Sequence, residues 1–318
     1  MKVSRYFSIL VAFSLVAFFF LPHFRAGGQE IEGLAGRALL EHLGYPADSR
    51  LLIIHADDFG MMHSVDTAIM EAFENHWITS ASILVPCPWF PEVARWAKAH
   101  PDADLGVHVA LNADWTGYRW PAVSPQPAGS SLLDADGYLP LLTEEVVAHA
   151  KMPDVEVEAR AQIDKAKAAG IRVTHIDDHM TTLTSSKDLL KVYLSTAHAY
   201  GVPARLARDF NRFGVHLDPG TIVLDDSVSM DPGVPKSQWF AAYRKMLQPL
   251  GPGVYQVIVH LAHDDEEMQG ATSDHPDWGA EWRQNDFDLI RSAEFHKFIK
   301  NQNFILVTWN ELAKALPR

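Results

Sequence analysis

One recurring unit constrains this chain more than any other feature: a short apolar run, then acidic or histidine residues, then a helix-like stretch. Residues 51–56 are apolar and lead into Asp57 and Asp58. Residues 105–111 carry His108, residues 171–177 lead to Asp177, Asp178 and His179, and the run from Val254 reaches His260, with His263 just behind. Short apolar runs bounded by turn-forming residues read as buried strands, and their alternation with helices predicts an α/β fold around a parallel sheet. In such folds the residues at the C-terminal strand ends share one rim, which is where barrels build their sites.

The intervening segments carry helix signals. Ser64 is placed to cap a helix with Val65, Ala68, Ile69 and Phe73 on its apolar face. Further helices are expected over 91–100, 155–169, 186–200 and 287–300, with Gly170 and Gly201 as stop signals. Additional strands are expected at 78–85, 204–207, 221–224 and 304–308, and Asn310 is expected to cap a closing turn at 311–316. A Pro-, Gly- and Ser-containing stretch over 112–139 reads as a long loop, and a polar segment over 264–282 as another. No Gly-rich dinucleotide loop follows the first strand, which disfavours an open nucleotide-binding sheet. Residues 50–318 are therefore expected to form a single (β/α)-barrel domain of roughly the usual 250-residue size, with 27–49 as a lead-in.

Residues 1–26 read as separate from the fold. Lys2 and Arg5 precede an apolar run over 6–22, the pattern of a secretory signal peptide or of an N-terminal membrane anchor. No Cys follows to accept a lipid. The protein is expected to be exported to the periplasm or the outside, either free or tethered by that segment.

Composition narrows the chemistry. With 40 acidic against 27 basic residues the net charge is −13, which speaks against a nucleic-acid surface. The single cysteine, Cys87, excludes an internal disulfide framework and a Cys-rich zinc site. A metal would have to be held by nitrogen and oxygen. Two imidazoles and a carboxylate at one rim suit a divalent cation with open positions, and a second carboxylate beside them suits a general base. Asp57 and Asp58 divide those two roles. Such a set accepts Zn, Mg, Mn or Co.

Four segments occur in order: Ile-His-Ala-Asp-Asp-Phe-Gly at 54–60, Ile-Thr-Ser-Ala-Ser-Ile-Leu-Val at 78–85, Leu-Gly-Val-His-Val-Ala-Leu at 105–111 and His-Ile-Asp-Asp-His at 175–179. Together they resemble the YdjC-like carbohydrate deacetylases. That resemblance implies a distorted or incomplete (β/α) barrel and removal of an N-acetyl group from a sugar. It implies a divalent metal on Asp58, His108 and His179, Asp57 as general base, His175 in a supporting place, and His260 as the acid that protonates the leaving amine. Where the family commonly continues Pro-Gly after that last histidine, this chain reads His260-Leu-Ala-His263, so His263 is a second candidate for the acid. Trp115 and Trp278, in the rim loops, are expected either to stack on sugar rings or to pin their loops. Two other readings share this scaffold: a non-catalytic carbohydrate-binding protein, and a metal-dependent amidase or esterase on a non-sugar substrate.

Overall fold

The computed structural model describes residues 33–127, 130–209 and 212–316. The expected leader over 1–26 lies outside the described residues. Among the described residues no helix is long and apolar enough to cross a membrane.

Among the described residues there are nine strands: β1 (Leu34–Ala35), β2 (Arg50–Phe59), β3 (Ser80–Ile83), β4 (Leu105–Val109), β5 (Val173–Asp178), β6 (Ile222–Val223), β7 (Asp226–Val228), β8 (Gly253–Val259) and β9 (Phe304–Leu306). The main sheet is wholly parallel and ordered β5-β4-β3-β2-β8-β7, with β9 also paired to β2. It curls into a half barrel. Beyond β5, single bridges from Ile176 to Ala204 and from Ala207 to Leu224 continue the pairing, so residues 204–207 contribute isolated contacts rather than the expected strand. The central strand β2 lies against β8 along one edge. Its other edge is divided, with β9 pairing residues 50–52 and β3 pairing from His55 onwards.

Strand alternation explains what each face of β2 does. Leu52, Ile54 and Ala56 pack into the large core shared with the outer helices. Leu51 and Ile53 point to the concave side, where a second core gathers Leu39, Leu40, Ile222, Leu224, Val254, Trp309 and Leu312. The described part of the lead-in, residues 33–49, thus packs with the domain: its helix Gly36–His42 plugs the lower end of the half barrel. Continuing the same parity upwards, His55 and Asp57 face inwards above that plug.

Several helix boundaries differ from expectation. The helix His63–Glu74 starts after Met62 without a side-chain cap, so Ser64 lies inside it, with its hydroxyl 2.7 Å from both Asp265 Oδ1 and Glu267 Oε2. The expected helix over 287–300 is two helices, Ala280–Ile290 and Ala293–Asn301, with Ser292 capping the second. Apolar periodicity runs through the break and hides it. Thr308, in a capping box with Glu311, starts the last α-helix; Asn310 instead donates its backbone N–H to Asp104. The polar segment after β8 contains the short helix Glu266–Ala271, whereas 112–139 is free of described helix or strand, as expected for a loop.

Candidate metal centre and its surroundings

The site begins with an irregularity. In a regular strand Asp57 and Asp58 would point to opposite faces. Here the register with β3 shifts between Ala56 and Phe59, and Asp58 adopts a left-handed backbone with φ 70°. A bulge of this kind re-aims a side chain at a sheet rim and places strain there. Both carboxylates consequently reach the same mouth.

His108 near the end of β4 and His179 just after β5 complete the cluster, and all four residues are at most 4% exposed. Asp58 Oδ1 lies 3.5 Å from His108 Nε2 and 3.6 Å from His179 Nδ1. The remaining atoms of these three side chains are each held from behind. Arg283 Nη1 donates to Asp58 Oδ2 at 2.7 Å, His108 Nδ1 lies 2.6 Å from Asp177 Oδ1, and His179 Nε2 lies 3.0 Å from Asp114 Oδ1. One oxygen and two nitrogens are left facing one point, and Asp58 Oδ1, though buried, has no hydrogen-bond partner. A buried acceptor without a partner is costly, and a cation would satisfy it.

Among the described residues two other groups have metal-like spacing, His55 with His175 and Asp177, and Asp57 with His108 and Asp177. In each, a direct imidazole–carboxylate hydrogen bond of 3.0 or 2.6 Å already occupies the space an ion would need. The Asp58–His108–His179 group is therefore the one that can hold a metal.

The field at this point is negative. Burial by itself would lower His108, but Asp177, Asp57 and Asp58 outweigh it and push the imidazole up to about 10. The same charges would attract a cation to Nε2. Burial tends to raise Asp58, yet Arg283 and the surrounding histidines hold it well below the usual carboxylate range.

Asp57 stands beside the cluster, with Oδ2 3.8 Å from His108 Nε2 and 3.9 Å from His260 Nε2. Against the effect of burial, His108 and His55 keep its carboxyl below the ordinary range, so it is ionised at neutral pH. His260 follows β8, with its backbone N–H held by Asp286 and its ring tilted against Trp282. A fifth of its side chain is exposed, and burial lowers its pKa to about 4. His263 packs its ring against Phe287 and binds the Ser64 carbonyl through its backbone. Of the two late histidines, His260 is the one beside Asp57.

His175 lies one layer below, stacked on Trp309 and bonded to Thr174. Trp115 is 1% exposed, packed against Trp120 with the Arg283 guanidinium over its ring. It has no open face for a sugar and pins its loop. Trp278 is 42% exposed and keeps an accessible surface. Arg283, Asp114, Asp177 and His55 were not assigned roles by sequence reasoning. Only Asp177 carried a signal, by standing two residues before His179.

The chain is similar to several known proteins over most of its length. The sequence model of a family described as YdjC-like protein matches residues 51–301. A carbohydrate deacetylase of Thermus thermophilus is 29% identical over 287 residues, spanning 87% of this chain and 99% of that protein. One from Thermoanaerobacter pseudethanolicus is 25% identical over 265 residues, spanning 83% and 99%. A crystal structure of an Enterococcus faecalis protein, proposed to act in cellobiose-phosphate cleavage, superposes with a TM-score of 0.71 at 24% identity over 83% of this chain and 99% of that one. That likeness establishes a shared fold.

Proposed function

The chain belongs to the YdjC-like family, and from that premise we propose that it is a metal-dependent carbohydrate N-deacetylase. Its substrate is an N-acetylated mono- or oligosaccharide, and its products are acetate and the free amino sugar. One observation carries the reading: Asp58 Oδ1, His108 Nε2 and His179 Nδ1 face a common point, with the ionised Asp57 beside them. Relatives called carbohydrate deacetylases, aligned over 99% of their own length, support removal of an acetyl group from a carbohydrate.

A divalent cation on those three donors supplies Lewis acidity, bringing a water's pKa towards ~7 and polarising a carbonyl oxygen. The chain's own residues do the rest. Asp57 Oδ2 accepts the proton of the attacking water as the oxygen adds to the acetyl carbon. The C–N bond then breaks, and the nitrogen must gain a proton to leave as an amine. His260 is neutral at pH 7, and its Nε2 is 3.9 Å from Asp57 Oδ2, so it relays that proton to the nitrogen. Arg283, Asp177 and Asp114 keep the three donors from rotating away. The expected leader would place this reaction outside the cytoplasm.

Acetate release over a series of N-acetylated sugars, with and without chelator, tests the reading. Release should stop on chelation and return when a divalent metal is added back. Sugar binding without acetate release, at full metal loading, would instead make the protein a carbohydrate-binding scaffold. Release from non-sugar acetamides alone would transfer the activity to another substrate class.

A further inference from the structure

Below the rim lies a histidine that the reaction scheme does not use. His55 precedes Asp57 by two residues on β2, shares its inward face and is fully buried. Its Nε2 lies 3.1 Å from Asp57 Oδ1, 3.0 Å from Asp177 Oδ2 and 3.1 Å from Ser82 Oγ, while its Nδ1 lies 3.0 Å from Ser80 Oγ. The opposite oxygens of those two carboxylates face the site. Asp57 Oδ2 looks towards His108 and His260, and Asp177 Oδ1 takes the Nδ1–H of His108. Ser82 Oγ is 3.5 Å from Asp57 Oδ1, too long to hold it firmly.

We propose that His55 is the positioning residue of the base: its Nε2–H bonds to Asp177 Oδ2 while the same end of the ring pairs with Asp57 Oδ1 at 3.1 Å, so that Asp57 Oδ2 faces the substrate, and through Asp177 it joins the base and His108 into one rigid unit. Two buried carboxylates this close require a positive partner. Burial would lower the imidazole, but its hydrogen bonds with Asp177 and Asp57 prevail and raise it to about 9, so both nitrogens carry protons at neutral pH. Ser80 Oγ accepts the second one and passes its own proton towards Asp104, 3.3 Å away. The kinetic consequence rests on the deacetylase reading, whereas the pairing of His55 with Asp57 does not.

Two measurements test this separately. In metal-free protein with labelled histidine, the His55 Nε2–H should give a far-downfield, exchange-protected proton resonance that moves on Asp57→Asn substitution. Absence of that proton, or a resonance indifferent to Asp57→Asn, would overturn the proposal whether or not the protein releases acetate. In the metal-loaded enzyme His55→Leu should lower kcat about 100-fold, the scale of a displaced reacting group, with KM within about twofold. Metal content should stay unchanged. His55→Gln places an amide donor near the Nε2 position and should recover kcat to within about tenfold of the parent. A His55→Leu enzyme with undiminished kcat, or equal losses in the Leu and Gln variants, would overturn it. If His55→Leu does not fold, the resonance and the Gln variant still decide.

Discussion

At the scale of single residues, the proposed mechanism separates groups that would hold a metal from groups that would react. His108 and His179 each present one ring nitrogen inwards because the other is tied to Asp177 or Asp114. Replacing either ring with Ala should remove bound metal, measured as metal per chain by elemental analysis. Asp57 touches the cluster without belonging to it, so Asp57→Asn should leave metal content intact while acetate release falls about 10³-fold, within the span of a lost general base. Retained metal in the histidine variants, or brisk turnover in the asparagine variant, would reverse these assignments.

The elements set those residues in layers, and a glycine shows how tight the layering is. Gly106 and His108 share the inward face of β4, and a Cβ at 106 would lie only 2.4–2.6 Å from the ring atoms of His175. Gly106→Ala should cost about 1–3 kcal/mol, the usual penalty for overfilling a packed interior, read as a lowered denaturation midpoint. A midpoint equal to the parent's would mean that the ring moves aside freely. Elements also explain what could be read beforehand. Asp57, Asp58, His108, Asp177, Asp178, His179, His260 and His263 stand out because parallel strands bring their C-terminal ends to one rim and strand ends are visible as local pattern, and the family resemblance narrows that set to Asp57, Asp58, His108, His179 and His260. Arg283 had no such mark, since it reaches Asp58 from 225 positions away out of a segment that reads as merely polar. His55 looked like one more residue of an apolar run, because its partners come from β3 and β5. Ser64 offered an ordinary cap signal, but a distant pair of acids claimed its hydroxyl. Pairings of that range leave no periodicity to detect.

For the molecule as a whole, the buried imidazoles give stability a pH dependence. His55 has its folded-state pKa at about 9, above the ordinary 6.5. Its contribution is fully present below pH 6.5 and disappears as pH rises through 9, an effect on the order of 3 kcal/mol. In metal-free protein the melting temperature should therefore fall between pH 7 and 10. The fall should be shallower in His55→Gln, as followed by calorimetry, and parallel curves for the two proteins would show that His55 carries no such charge. The placement of β2 has a different consequence, one that concerns time. This strand joins the core in the first fifth of the chain, yet β8 on one edge and β9 on half of the other come about 200 and 250 residues later. At synthesis rates of roughly 5–20 residues per second, β2 waits on the order of 10–50 s for its neighbours. During that interval its apolar length is an unpaired edge, open to wrong partners. Folding must therefore conclude after the last strand emerges, and the nascent chain depends on whatever shields that edge until then.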